Sequence, residues 1–328
     1  MRILVYELLM AMGLGRDPSD PFHSLYREGR AMADAVADDF RRIAGAQVAL
    51  ADERYLNQLG ECDVCLVIAP DQELAELAPS IERAGIEMLN CTEAAIRIAA
   101  NKLNTGRMWE AAGVPTPRAV TLTSALGSAD SPARLTKYPA VCKPIHGTGS
   151  SCLFVIDDNN GIEEVVRAAD ELGHGADSLL LQDWVPGQAA SIAFLCGPSG
   201  LTPLIPAFQV LSDDGRCHYL GGELRIPANL AARAVKLGSR ALACLPGLKG
   251  YVGVDLVFGS AADGSDDYAI EINPRLTTSY VGLRRVAQFN IAEAMLLAAR
   301  GERLPEFSWK ANRVRFSPDG TVAPADQV

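Results

Sequence analysis

The stretch from Tyr251 to Arg275 constrains this chain more than any other. Tyr251-Val-Gly253-Val-Asp255-Leu-Val257-Phe258 is an apolar run of strand length, a polar loop covers Gly259 to Asp267, and Tyr268-Ala-Ile270-Glu271-Ile-Asn273 is a second run, closed by Pro274. Strands joined by so short a loop pair antiparallel. Period-two alternation sets Gly253, Asp255 and Val257 on one face against Val252, Val254, Leu256 and Phe258 on the other. In the second strand the same rule groups Ala269, Glu271 and Asn273, with Ile270 and Ile272 opposite. Two carboxylates and an amide then converge on a surface backed by apolar core. Such oxygen donors suit hard Mg²⁺, which keeps waters and bridges substrate phosphates. Arg275, just past the proline that ends the ladder, stands where it can stabilise a transferring phosphoryl group. A solvated charged face and a buried ion pair are the alternatives.

Two further segments carry polar chemistry on apolar strands. Tyr138-Pro-Ala-Val-Cys-Lys143-Pro leads into Ile145-His146-Gly147-Thr148-Gly149-Ser150-Ser151 and a second apolar run, Leu153 to Ile156. This reads as a β-hairpin whose small-residue mouth can crowd backbone N–H groups and hydroxyls round an anion, with Lys143 as a point charge at its base. An ordinary Gly-Ser turn is the competing reading, and no Gly-Lys-Ser/Thr follows the glycines as a Walker loop requires. Leu179 to Leu181 runs into Gln182-Asp183-Trp184-Val185-Pro186-Gly187-Gln188. A strand bending there can offer backbone groups to an adenine edge, with Asp183 or Gln188 available to ribose hydroxyls. A strand ending in a type II turn at Pro186-Gly187 fits as well.

The first hundred residues alternate short β-rich runs (Ile3 to Tyr6, Val48 to Ala51, Val64 to Ile68, Ile86 to Leu89) with helical stretches at Arg27 to Ile43 and Leu74 to Ala84. That is an open, mainly parallel α/β domain over residues 1–101. Gly13 and Gly15 follow its first strand, where a loop can approach a ligand or simply connect strand to helix. A helix from Lys102 to Ala112 stops at Gly113, with Pro115 and Pro117 beyond. After it an α+β region on antiparallel sheets is expected, with turns at Gly147 to Gly149, Gly161, Gly197 to Gly200, Asp213 to Gly215 and Asp263 to Gly264. The polar end, Pro318 to Val328, is expected to fray.

Forty Asp and Glu against thirty Lys and Arg give a formal charge of −10, which repels nucleic-acid backbones. No apolar run approaches the roughly 20 residues that span a bilayer, and Met1-Arg-Ile-Leu-Val-Tyr enters a strand with no cleavage site, so a cytoplasmic protein is expected. The eight cysteines sit mostly inside apolar runs and form no disulfide framework; Cys62 and Cys65 lack a second pair at zinc spacing. The four histidines form no metal-spaced set.

In order and spacing, the three segments resemble the ATP-grasp superfamily over about Asn101 to Arg300. The resemblance implies a pre-ATP-grasp domain (1–101), a subdomain with the lysine and glycine-rich loop (102–187), a subdomain with the metal strands (188–305) and a C-terminal tail (306–328). It implies that Lys102 and Lys143 contact ATP phosphates beneath the Gly147 to Ser151 loop. Gln182, Asp183, Trp184 and Val185 would form the adenine hinge, and Asp255, Glu271 and Asn273 would hold two Mg²⁺ ions, or Mn²⁺ in their place. Many members carry Glu where Gln182 or Asp183 stands.

More narrowly, Met1-Arg-Ile-Leu-Val-Tyr-Glu7, Arg27-Glu28-Gly29-Arg30-Ala-Met32 and Glu271-Ile-Asn-Pro-Arg-Leu-Thr277-Thr278-Ser279 look like the tyramine–glutamate ligases of methanofuran synthesis and their bacterial methylofuran-linked relatives. That implies amide formation through an acyl phosphate, on a small-molecule carboxylate and amine. Thr277, Thr278 and Ser279 follow the metal strand and can bind a substrate carboxylate or be plain turn residues; Arg225 is a further phosphate or substrate contact. A carboxyphosphate-forming enzyme, another amino-acid or peptide ligase and a non-catalytic nucleotide binder are the rivals. The number of subunits stays open, a homodimer included.

Overall fold

The computed structural model describes residues 1–125, 138–147, 153–158, 161–171 and 173–325. Strands β1 (Arg2–Glu7), β2 (Gln47–Leu50), β3 (Val64–Ile68) and β4 (Glu87–Met88) form a parallel sheet in the order β2-β1-β3-β4, as the alternation of β-rich and helical runs requires. Its main helices are His23–Arg41 and Asp71–Arg83, each starting a few residues before the sequence expectation. The Gly13 segment resolves as a helix end: Glu7 caps the short helix Leu8–Met12 by accepting from the Met10 N–H (2.8 Å), and Gly13 closes it in the left-handed region at φ 69°.

Strands β5 (Ala119–Thr121), β6 (Ala140–Pro144), β7 (Phe154–Ile156) and β8 (Leu179–Asp183) make an antiparallel sheet in the order β5-β8-β6-β7. β6 and β7 are the expected hairpin, pairing Ala140 with Ile156. Gly161, expected in a turn, instead opens the helix Gly161–Glu171, and the Asp158 carboxylate accepts from its N–H at 3.2 Å, as a side chain before a helix does.

The large antiparallel sheet runs β14-β13-β9-β11-β12-β15-β16, with β10 on β9, from β9 (Gln188–Gly197), β10 (Gly200–Pro203), β11 (Ala207–Leu211), β12 (Tyr219–Leu224), β13 (Gly250–Phe258), β14 (Tyr268–Asn273), β15 (Val314–Phe316) and β16 (Val322–Pro324). The last two strands overturn the expected fraying as far as Ala325. Val314 and Phe316, two apart on β15, both bury, and the Phe316 ring packs where a Cβ on Gly222 or Gly282 would collide with it.

Alternation along β14 is also broken. Asp255 pairs with Glu271 and Gly253 with Asn273, but the register then slips, so that Leu256 pairs with Ala269. The extra residue is Ile270, a bulge that turns Ala269 to the core beside Leu256 and Ile272 and leaves Ile270 facing the polar side, the reverse of strict alternation.

Core packing divides the molecule unequally. Residues 119–181 close a core of their own around Leu122, Phe154, Ile156, Val165 and Leu181. The two large clusters instead mix residues of the first hundred with those beyond 188: Val67, Leu74 and Ile96 with Phe194, Val254 and Ile272 in one, Val5, Val36 and Phe40 with Leu195, Tyr280 and Met295 in the other. Buried Asp39 reinforces this joint, accepting from the Arg284 guanidinium (2.8 and 2.9 Å) and the Tyr280 hydroxyl (2.7 Å). Among the described residues no helix is long and apolar enough to cross a membrane.

Candidate active site

A cavity of about 340 Å³ opens where the three sheets meet, within the usual range for small-molecule sites. One wall is the β13–β14 pair. Asp255 and Glu271 are direct cross-strand partners, Asn273 sits two rungs along, and its Nδ2 donates to Asp255 Oδ2 at 3.1 Å. Gln209, from β11, donates to the other Asp255 oxygen at 3.0 Å; a lone glutamine on a short strand carries no sequence signal for this. Burial, then the neighbouring Glu271 charge, pushes the Asp255 carboxyl up to about 8. Burial also acts to raise Glu271, but Lys102 and Lys143 outweigh it and hold that carboxyl below its ordinary value.

The facing wall carries the lysines. Asn101 caps the helix Lys102–Ala111 by accepting from the Asn104 N–H, which fixes Lys102 at the first helical position. Lys102 Nζ donates to the Gly147 carbonyl at 2.6 Å and stands 3.7 Å from Glu271 Oε2. Lys143, on β6, is 7% exposed, and burial lowers its ammonium to about 8 against the pull of Glu271. Gly147 lines the cavity at φ 116°, open to glycine alone; Thr148, Gly149, Ser150 and Ser151 lie outside the described residues.

Arg275 reaches the cavity but is already held: its Nε donates to Asp71 at 2.9 Å and its terminal nitrogens to the Leu276 carbonyl (3.2 Å) and Asn273 (3.4 Å). Asp71 was not anticipated; it lies on a helix of the first region, at the far end of the salt bridge. Thr277, Thr278 and Ser279 also line the cavity, the first and last tied to the Tyr251 hydroxyl (3.3 and 2.9 Å) and Thr278 donating to Glu28. They are therefore a bonded hydroxyl network and not simple turn residues.

Other expected contacts stand apart from the cavity wall. Gln182, Asp183, Trp184 and Val185 are not among its lining residues, and the Trp184 backbone N–H donates to the Pro139 carbonyl at 3.2 Å. Gln188 also falls off the wall, because Ala189 and Ser191 line the cavity and a residue one step before Ala189 faces the other side of β9. Arg225 follows β12 in the left-handed region, φ 73°, and does not line the cavity either.

Among the described residues no three His, Cys, Asp or Glu side chains cluster at metal-ligand spacing. The oxygen set is two carboxylates and an amide, an incomplete shell that phosphate oxygens and water would fill. The raised Asp255 fits a cation there, since a carboxylate pair that resists a second ionisation is what an added positive charge relieves.

The cleft thus sets lysines on one side against a paired-strand carboxylate set on the other, and residues 99–279 match the ATP-grasp domain. The chain belongs to the ATP-grasp family and is an ATP-dependent carbon–nitrogen ligase. It is 30% identical over 259 residues to tyramine–L-glutamate ligase of Methanocaldococcus jannaschii, an alignment covering 78% of this chain and 68% of that one. Among solved structures, an ATP-grasp superfamily protein from Archaeoglobus fulgidus superposes with a TM-score of 0.70 at 21% identity, over 97% of this chain and 92% of that one. D-alanine–D-alanine ligase from Bacillus anthracis, complexed with ATP, gives 0.66 at 16% identity, over 91% and 97%. Members of this family use ATP and divalent metal ions.

Proposed function

We propose that the chain joins the γ-carboxylate of glutamate to the amine of tyramine or tyrosine, a step in building a methanofuran- or methylofuran-type cofactor. The observation that carries this reading is the Asp255–Glu271 rung facing Lys102 and Lys143 across one cavity, together with the name borne by the M. jannaschii relative.

In this reading Lys102 and Lys143 hold the ATP phosphates, while Asp255, Glu271 and Asn273 hold two Mg²⁺ ions, replaceable by Mn²⁺. Bound there, the metal supplies charge neutralisation to the transferring phosphoryl group. A glutamate carboxylate oxygen attacks the γ-phosphorus, ADP leaves, and an acyl phosphate remains. The amine nitrogen then bonds to the acyl carbon, the C–O bond to phosphate breaks, and the nitrogen gives up a proton. Water competes for the acyl phosphate, so the glycine-bearing hairpin must close over it. Arg275, fixed by Asp71, lends its charge to the phosphoryl oxygens. Thr277 and Ser279 offer hydroxyls to the amino-acid carboxylate. The reading places the enzyme in the cytoplasm, where ATP is supplied.

The test is ADP release over a matrix of amino acids and amines, with the products weighed. Glutamate with tyramine or tyrosine should release ADP with an amide of matching mass. A phosphorylated product would make the chain a kinase, and no stimulation by any pair would end the substrate assignment.

A further inference from the structure

Glu7 is the last residue of β1, 5% exposed, and it lines the cavity. Its Oε2 accepts from the Met10 N–H at 2.8 Å, and no ion pair reaches the carboxylate among the described residues. Burial pushes the carboxyl up to about 7, opposed only by the backbone N–H groups of Met10 and Leu9. Room for it depends on Gly29: a Cβ there would lie 2.3 Å from Glu7 Oε1.

The helix His23–Arg41 turns Leu25, Glu28, Gly29 and Met32 to the cavity, the i, i+3, i+4, i+7 stripe of one face. Its neighbouring arginines look elsewhere, Arg27 to Asp319 and Arg30 to Tyr26 and Asp34. Glu28 is half-buried and accepts from Thr278. This part of the lining thus carries two carboxylates and apolar side chains from Leu8, Leu25 and Met32, and neither carboxylate forms an ion pair among the described residues. A buried carboxylate left without a counter-charge is costly. An alkylammonium group, with three donors and an apolar stem, matches both the acids and their flanks.

We propose that Glu7, in a lining that also carries Glu28, is the anchor for a substrate ammonium group, with Leu8, Leu25 and Met32 holding the carbon chain that bears it. The proposal rests on the ligase reading and adds to it the residue that recognises positive charge. Two substrates present that chemistry: the amine, and an amino-acid donor through its α-ammonium.

The test is Glu7→Gln, which keeps the shape and an oxygen for the Met10 N–H while deleting the charge. Calorimetric dissociation constants would be taken for tyramine, glutamate, glutarate (the same diacid lacking the ammonium) and Mg²⁺ with a non-hydrolysable ATP analogue, alongside turnover and the melting midpoint. We expect the affinity for one ammonium ligand to fall about 10- to 100-fold, with nucleotide affinity and midpoint unchanged. If glutamate is the one, its advantage over glutarate should vanish; if tyramine is, that ratio should hold. Gly29→Ala should weaken the same ligand by displacing Glu7. Unchanged affinity for both ammonium ligands overturns the proposal, as does an equal loss for the nucleotide analogue. Wild-type turnover with Glu7→Gln kinetics to match removes the Glu7 assignment alone. Wild-type protein that turns over no pair, yet binds an ammonium ligand only when Glu7 is intact, removes the substrate reading and keeps Glu7. Protein that binds neither ligand removes both.

Discussion

The two sides of the cavity are built differently. On the lysine side, Lys143 belongs to residues 119–181, with a small core of their own, while Lys102 opens a helix whose Trp109 packs into the larger body. The carboxylate side belongs to a body in which the first hundred residues and those beyond 188 share two cores and the Asp39–Arg284–Tyr280 cluster. Lys143 therefore rides on a light part, whereas Lys102, Asp255, Glu271, Glu7 and Ser279 ride on a heavy one.

The strongest way to break this comparison is through chemistry. Asp255→Ala should lower ADP formation about 10³-fold or more with the melting midpoint retained, because it takes an acid from a rigid hairpin. Normal turnover would remove the carboxylate side from the reaction. Stability comes next. Asp39→Ala strands the Arg284 guanidinium within the joint and should cost about 3–5 kcal/mol, read as one cooperative loss in denaturant. Leu181→Ala should cost about 2–5 kcal/mol, but within the small core only, so that proteolysis cuts residues 119–181 while the rest stays protected. A single common transition for both variants would mean the two parts are one unit.

The smallest effect sharpens the contrast on the lysine side. Lys143→Ala removes one charge-assisted phosphate contact and should raise the KM for ATP about 10- to 100-fold. Burial holds the Lys143 ammonium near 8, so it is charged below that pH and neutral above. In the wild type, KM for ATP should therefore be flat below about pH 7 and rise by up to about tenfold per pH unit above 8; in Lys143→Ala that rise should disappear.

Much of this was legible where chemistry sits on regular strands. Asp255, Glu271 and Asn273 could be placed together because a short loop forces antiparallel pairing, and Lys143 because apolar runs flank it. The bulge at Ile270 was not legible: one inserted residue leaves composition untouched and is decided by register against β13. Glu7, Asp71 and Gln209 are isolated polar residues whose partners come from distant segments, so no local spacing marks them. Arg225 and Gln188 are polar in sequence beside the right strands yet do not line the cavity, Arg225 standing in the left-handed region and Gln188 one step out of parity with Ala189 and Ser191.

Asp255 and Glu271 occupy one rung of a ladder locked between β9 and the apolar layer beneath. Their spacing is consequently a constant of the molecule, unaltered by whatever the hairpin above does.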